Sequence, residues 1–372
     1  MGWEYSHGVG YNEKGRPVTC VVAAAISCLA MIPASQAKRP TSTAKLNARA
    51  IFIGAIAQPV APPKTSPGQV LNPERVIGAS TGLKKLDLVR NYEGVAGWIL
   101  PHLKDRPVSL VRGPTGVGGE LFFQKHGDKI GIPGIRELDA SLWPDHKPLL
   151  EIPSKQALVG AAQLNVIELH TWNSTSAAIG LPDRVIFDLD PGEGVTWQQV
   201  QEAAVLTHVM LDQLGLQAWL KTSGGKGLHV VVPLAPEADY DTVNGFSKVV
   251  VQHMAKTIPD RFVTVSGGGN RIGKIVIDYL RNGHGATTAA FPARSRPGLG
   301  MSMPVYWEQR QELEGGAHWT IVDALTHLDR RADDPWAGYW NARQTLDAVM
   351  AALSVKTLCQ EKGAAGQLTV WP

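Results

Sequence analysis

The residues best suited to chemistry begin with Arg184-Val-Ile-Phe-Asp188-Leu-Asp190-Pro191-Gly192. Along a strand, side chains at i and i+2 share a face, so Asp188 and Asp190 project together while Phe187 and Leu189 turn to a core. Pro191-Gly192 ends the strand and leaves both carboxylates at its exposed end. Two such carboxylates repel unless a cation lies between them, and hard oxygen ligands suit Mg2+ or Mn2+. A bare D-x-D is equally a strand end with two solvated acids. A second segment is Trp219-Leu-Lys-Thr-Ser223-Gly224-Gly225-Lys226-Gly227-Leu-His229. Its glycines let backbone amides approach an anion, while Ser223 and Lys226 add a hydroxyl donor and a point charge. That is a phosphate cradle or, taken alone, a hairpin with a polar tip. It is not a Walker A loop, because G-x-x-x-x-G-K-[ST] is absent and a strand follows. His229 opens that strand, where a lone histidine is more often structural than a ligand.

The third segment is Gly273-Lys-Ile-Val-Ile-Asp278-Tyr-Leu-Arg281-Asn. Asp278 lies in a run that is apolar on both faces, so it needs a partner or a metal. It is the natural third ligand for two divalent ions ~3.5 to 4 Å apart, which would activate a hydroxyl and stabilise a leaving pyrophosphate. Between Arg261 and Arg296 six Lys/Arg accompany that one acid, a local charge of +5. Arginine forks suit phosphates, although a solvated basic face is the ordinary meaning of a charge cluster.

The elements that position these groups have mixed order. Spacing from Leu83 to Leu100 predicts one amphipathic helix that ends before Pro101. Strands are expected at Val108–Val111, Leu121–Gln124, Leu164–Leu169, Asp183–Asp190, Ala218–Val232 and Lys274–Leu280. Helices are expected at Trp197–Leu214, Thr242–Ile258 and Trp336–Ser354. Strands separated by helices in this way indicate an α+β, mixed α/β, fold without a repeat period.

The whole chain has 372 residues and a formal net charge of +3. Residues 1–66 carry seven Lys/Arg against two acids, so the rest sums to about −2 and the basic character is local. Cys20, Cys28 and Cys359 form neither a disulfide framework nor zinc-ligand spacing, so a reducing, cytoplasmic setting is the expectation. The apolar run Val18–Pro33 follows Lys14 and Arg16 and imitates a secretory signal, but it starts late and is shorter than the ~20 residues of a membrane helix. Residues 1–66, closing in a proline-rich linker, are therefore expected to be a poorly ordered extension, 67–354 one catalytic domain, and 355–372 a loose tail. No membrane association is expected.

Asp188-x-Asp190, Ser223-Gly-Gly-Lys-Gly-x-His229 and Ile277-Asp278-Tyr279, taken together, resemble the archaeo-eukaryotic primase superfamily, specifically the polymerase domain of bacterial DNA ligase D. Arg106-Pro-Val-Ser-Leu-Val-Arg112-Gly, Glu168-Leu-His170-x-Trp172 and Asp334-Pro-Trp336 follow in that family's order, and the resemblance covers Val70 to Ser354. It implies a primase-like core of central β-sheets flanked by helices and a template-dependent nucleotidyltransferase of non-homologous end joining. Such an enzyme fills gaps and extends ends with ribo- or deoxynucleoside triphosphates, with two divalent ions, Mn2+ preferred and Mg2+ accepted. On this resemblance Asp188, Asp190 and Asp278 hold the metals. Ser223, Lys226, His229 and Arg294 contact the triphosphate, Arg281 is a weaker candidate, and His170 lies by the incoming nucleotide. Arg75 and Lys85 correspond to a 5′-phosphate pocket, and Phe122, with Phe123 beside it, to an aromatic that stacks on the template. Implied partners are double-stranded DNA ends and gaps, a Ku-like end binder, and ligase or nuclease modules, and the resemblance narrows the expected cytoplasmic setting to a nucleoid-associated one. The stretch Ala289–Arg296 is shortened, so Arg294 and Arg296 are interchangeable candidates, and Ser266-Gly-Gly-Gly-Asn270 replaces more basic residues. The alternatives are a catalytically silent end-binding module and a dedicated primase or terminal transferase; three converging acids, which repel DNA, argue against the silent binder.

Overall fold

The computed structural model describes residues 70–127, 131–264, 270–283 and 286–351. The Val18–Pro33 run, the proline-rich linker, the expected tail and residues 265–269 of the glycine-rich stretch lie outside them. Two six-stranded sheets organise the chain. The sheet that carries the acids runs in the order β11 (Phe262–Val263), β12 (Ile275–Asp278), β8 (Arg184–Pro191), β10 (Leu228–Pro233), β9 (Trp219–Thr222), β14 (Pro304–Val305), antiparallel except for β11 with β12. The other runs β13 (Ala286–Thr288), β7 (Val166–Trp172), β3 (Val108–Arg112), β6 (Leu150–Glu151), β5 (Arg136–Glu137), with β4 (Phe122–Gln124) paired to β3. A hairpin of β1 (Val76–Gly78) and β2 (Leu83–Lys84) precedes them.

Strand alternation sorts each sheet into an apolar and a polar face. Val185, Phe187 and Leu189 of β8, Leu228, Val230 and Val232 of β10, and Ile275 and Ile277 of β12 are fully buried. They share a core with α4 (Trp197–Gln213) and α5 (Tyr240–Thr257), where the Phe187 and Phe246 rings meet edge to face at 6.5 Å. Each such side chain contributes about 1.5–3 kcal/mol by leaving water, which fixes the register and forces Asp188 and Asp190 onto the opposite face. α4 begins in a capping box, Thr196 with Gln199, and α5 at an Asp239 cap. In the second sheet Leu110, Ile167 and Leu169 share the core with α1 (Lys85–Gly94), α2 (Ala96–Leu103) and α3 (Lys155–Gln163).

Two expectations are corrected. The single helix ending before Pro101 is α1 and α2 with Val95 between them, and Pro101 lies inside α2. Gly94, the last residue of α1, lies against Leu325 of α6 (Ala324–Asp329), where an added Cβ would sit 2.6 Å from that side chain, and Val95 then leaves helical geometry at φ −82°, ψ 2°. Pro101 is tolerated because it falls in the last turn, where only the bond to the Gly97 carbonyl is forgone. The second correction concerns Trp336–Ser354, which within the described residues is α-helical only at 347–351, with a single 3-10 turn at Tyr339–Asn341. Trp336 instead stacks on Tyr339, with ring centroids 4.6 Å apart, and donates its indole N–H to the Leu220 carbonyl at 2.9 Å. With Ile186 and Val231 they cap one end of the polar face of the acid sheet. No helix among the described residues is long and apolar enough to cross a membrane.

Candidate active site

The polar face of the acid sheet is a lattice of paired strand positions. Asp278 is directly opposite Asp188, His229 is opposite Asp188 on the other side, and Lys221 is opposite His229. Directly opposed residues hold their Cβ atoms about 4.5–5.5 Å apart, so two acids from distant parts of the chain become neighbours, with Asp190 two residues along. β12 stops at Asp278, and Asn282 continues the pairing with its side chain. Its Nδ2 donates to the Ile186 carbonyl and its Oδ1 accepts the Ile186 N–H, both at 2.8 Å, which locks the turn after Asp278 to β8.

Each acid faces a basic group. His229 Nε2 is 3.3 Å from Asp188 Oδ1, Arg271 Nη2 is 2.6 Å from Asp190 Oδ2, and Arg281 Nε is 3.3 Å from Asp278 Oδ2. Burial works against the charged Asp188, but His229, Arg281 and Arg294 outweigh it and hold the carboxyl down to about 2. Burial together with the Lys221 charge pushes His229 down to about 4 despite Asp188, so its imidazole is neutral at pH 7. Among the described residues no three His, Cys, Asp or Glu side chains are gathered as a finished metal cage, and Asp190 and Asp278 pair with Arg271 and Arg281. The donor set nevertheless fits a divalent ion. Three carboxylates share one end of one sheet face, and the arginines beside Asp190 and Asp278 show that this face holds positive charge.

The glycine-rich segment closes β9 onto β10 around one hydroxyl. Ser223 Oγ accepts the N–H groups of Gly225 and Gly227, each at 3.1 Å, so its own O–H remains to donate outward. Gly224 takes φ +69°, which favours glycine, and Lys226 is exposed at the tip. Arg294 reaches the loop from outside, with Nη1 donating to the Ser223 carbonyl at 2.8 Å. A Cβ on Gly225 would meet Arg296 Nε at 3.3 Å, so Arg296 flanks the same loop but is exposed, whereas Arg294 is half-buried.

The second sheet brings His170 to this place. Glu168 and His170 project from one face of β7, and Glu168 Oε2 accepts from His170 Nε2 at 2.7 Å and from Arg294 Nε at 3.0 Å. Burial lowers the His170 pKa, although Glu168 opposes the shift. The Phe123 ring stands edge-on to His170 at 5.9 Å, and both Phe122 and Phe123 are about half exposed on β4. Lys85 and Arg75 form a separate basic corner. The Lys85 N–H donates to the Arg75 carbonyl at 2.8 Å, the lysine side chain is buried, and burial plus the Arg75 charge lowers its pKa.

Reasoning from sequence missed Glu168, Lys221 and Asn282. Lys221 is 2% exposed, and its Nζ donates to Ser302 Oγ at 2.7 Å and to the Thr288 carbonyl at 3.2 Å, which ties β9 to the second sheet. Burial pushes its pKa well below the usual lysine value. The available signal was a lysine alternating with apolar residues in Trp219-Leu-Lys-Thr, and for Glu168 the same i, i+2 spacing that marked Asp188 and Asp190.

Residues 84–336 match the family model described as LigD, primase-polymerase domain. The multifunctional non-homologous end joining protein LigD of Pseudomonas aeruginosa is 48% identical over 284 residues, covering 76% of this chain and 34% of that protein. The multifunctional non-homologous end joining DNA repair protein LigD of Mycobacterium tuberculosis is 30% identical over 273 residues, 70% of this chain and 36% of that one. The chain thus spans about a third of the length of these relatives. Among solved structures, the polymerase domain from Mycobacterium tuberculosis ligase D in complex with DNA is similar with a TM-score of 0.65 at 26% identity, covering 72% of this chain and 96% of that chain.

Proposed function

Because the chain belongs to the LigD primase-polymerase domain family, whose members are polymerase/primase-type nucleotidyltransferases, we propose that it adds nucleotides to the 3′-hydroxyl of a primer at a gap or break with a 5′-phosphate, in bacterial non-homologous end joining. The observation that carries this reading is the pairing of Asp188 with Asp278 beside the Ser223–Gly227 loop, which sets an acid cluster against an anion cradle on one sheet face. Asp188, Asp190 and Asp278 would hold the divalent ions, Mn2+ preferred and Mg2+ accepted, which supply activation of the 3′-hydroxyl and charge neutralisation at the leaving pyrophosphate.

The other groups orient the substrate. Ser223 O–H, Lys226, His229 and Arg294 contact the triphosphate, with Arg281 at the mouth and His170 beside the nucleoside. Phe122 or Phe123 offers a face to the template base, where stacking is worth ~1–3 kcal/mol and tolerates any sequence. Arg75 and Lys85 hold the 5′-phosphate. The domain so defined is 67–354, and a Ku-like end binder and ligase or nuclease modules are the proposed partners, in a nucleoid-associated cytoplasmic setting. The relative solved with DNA supports a DNA substrate.

Primer extension across a short gap tests the proposal. Addition directed by the template base, in Mn2+ or Mg2+, is expected; no addition in either metal sinks it. A narrower result is expected at the basic corner. Lys85→Ala should weaken binding to a 5′-phosphorylated gap about tenfold and leave the unphosphorylated gap nearly unaffected, since a charge-assisted phosphate contact is worth ~1.5–3 kcal/mol. Equal weakening of both, measured by fluorescence anisotropy, counts against the pocket.

A further inference from the structure

We propose that Glu168 is a positioning residue for the incoming nucleotide, one buried carboxylate that sets the tautomer of His170 and the aim of Arg294 together. The proposal rests on the polymerase reading above and deepens it. Glu168 is 6% exposed on β7, and its side-chain partners His170 and Arg294 are the groups proposed above to meet the incoming nucleotide. Oε2 accepts from His170 Nε2 at 2.7 Å and Arg294 Nε at 3.0 Å, while Oε1 accepts the Ser295 N–H at 2.7 Å. Burial opposes its charge, but His170, Arg294 and the Ser295 amide prevail and hold the carboxyl at about 2, so it stays ionised.

The consequence for His170 is chemical. A carboxylate only accepts, so the ring proton belongs on Nε2, and Nδ1 becomes an acceptor. Nδ1 is buried and has no hydrogen-bond partner. An orphaned buried acceptor is costly, and it is satisfied by a ligand that brings an O–H or N–H to it. For Arg294, the same carboxylate takes Nε while the Ser223 carbonyl takes Nη1, leaving Nη2 without a partner among the described residues. The guanidinium is thereby clamped in one plane at the phosphate-binding loop. Two distant segments, His170 on β7 offering an acceptor and Arg294 in the loop after β13 offering a cationic fork, are held in register by a single side chain. A salt bridge serving stability alone would not need the tautomer of His170 to be fixed.

Glu168→Gln keeps the shape and removes the charge. The amide carbonyl can still accept the Ser295 N–H, but its NH2 then faces His170 Nε2 and Arg294. The imidazole proton moves to Nδ1, which turns the acceptor into a donor, and Arg294 loses its anion. Long-range 1H–15N spectra of the full chain, with His170→Ala identifying the signal, should show His170 protonated on Nε2 in the wild type and on Nδ1 in E168Q. In gap filling, KM for the nucleoside triphosphate should rise about ten- to a hundredfold, the range for loss of charge-assisted hydrogen bonds, while binding of the gapped duplex stays within about twofold. A wild-type His170 carrying its proton on Nδ1 overturns the proposal without any variant, and so does an E168Q enzyme with unchanged KM. If the wild type adds no nucleotide at all, the polymerase reading fails, and the imidazole spectra with calorimetric binding of ATP in Mg2+ still decide the role of Glu168: a shifted tautomer with unchanged ATP affinity overturns it.

Discussion

Replacing Asp188 or Asp278 by alanine is expected to abolish nucleotide addition to a gapped duplex while 5′-phosphorylated DNA continues to bind. The two side chains are directly opposed on neighbouring strands, so each removes a carboxylate from the same position on the sheet face. If they hold the ions that neutralise developing charge, several kcal/mol of transition-state stabilisation is lost with either, a fall of roughly a thousandfold or more in rate. DNA binding is expected to hold or tighten slightly, because the variants remove negative charge from a face that meets phosphates. Asp188→Asn separates charge from packing, since it keeps a group beside His229 while withdrawing the anion. Single-turnover extension with Mn2+ measures all three. Synthesis at more than about a tenth of the wild-type rate in Asp188→Ala or Asp278→Ala would refute the metal assignment.

The second large effect is expected at Gly227, where Gly227→Ala should lower both stability and nucleotide use. An added Cβ would lie 1.9 Å from the Leu189 carbonyl oxygen and 3.3 Å from Pro191 Cδ. These are backbone and ring atoms of β8, which cannot retreat because β12 pairs with its far side at Ile277 and Ile275. The loop must move instead, and it is held by the Gly227 N–H to Ser223 Oγ and the Ser223 N–H to the Gly227 carbonyl, both at 3.1 Å. Overpacking of this kind costs about 3 kcal/mol, the upper part of the usual range, which in a domain of this size lowers Tm by roughly 6–12 °C. Gly97→Ala is the control. Nothing lies within 4 Å of its added Cβ, and it falls inside α2, so Tm should hold or rise slightly. Equal melting temperatures for Gly227→Ala and wild type would mean that the loop does not bear on β8 as described.

These cases show what the sequence makes legible. Asp188, Asp190 and the run around Asp278 are readable because alternation is local, and burial of Phe187 and Leu189 enforces it. The opposition of Asp278 to Asp188 is a pairing between distant strands, which no local pattern encodes. Glu168 and His170 show the same divide. Their shared face follows from spacing two apart, but Glu168 acquires its role from Arg294, 126 residues away. The helix predicted across Leu83–Leu100 has the right period and still breaks at Val95, a change of backbone geometry that apolar spacing does not record. The start of the stretch expected to be a terminal helix, Trp336 with Tyr339, serves instead as an aromatic cap on Ile186 and Val231. Burial patterns were visible in sequence, whereas the partner of each buried group was set by the topology.

The most direct test of the central claim is a crystal structure of the protein with Mn2+ and a non-hydrolysable nucleoside triphosphate, with the metal located by its anomalous scattering. The account expects manganese bound by Asp188, Asp190 and Asp278, with Arg271 and Arg281 released from their acids and the triphosphate held by Ser223, Lys226, His229 and Arg294. Manganese bound elsewhere, or a triphosphate seated away from the Ser223–Gly227 loop, would contradict it.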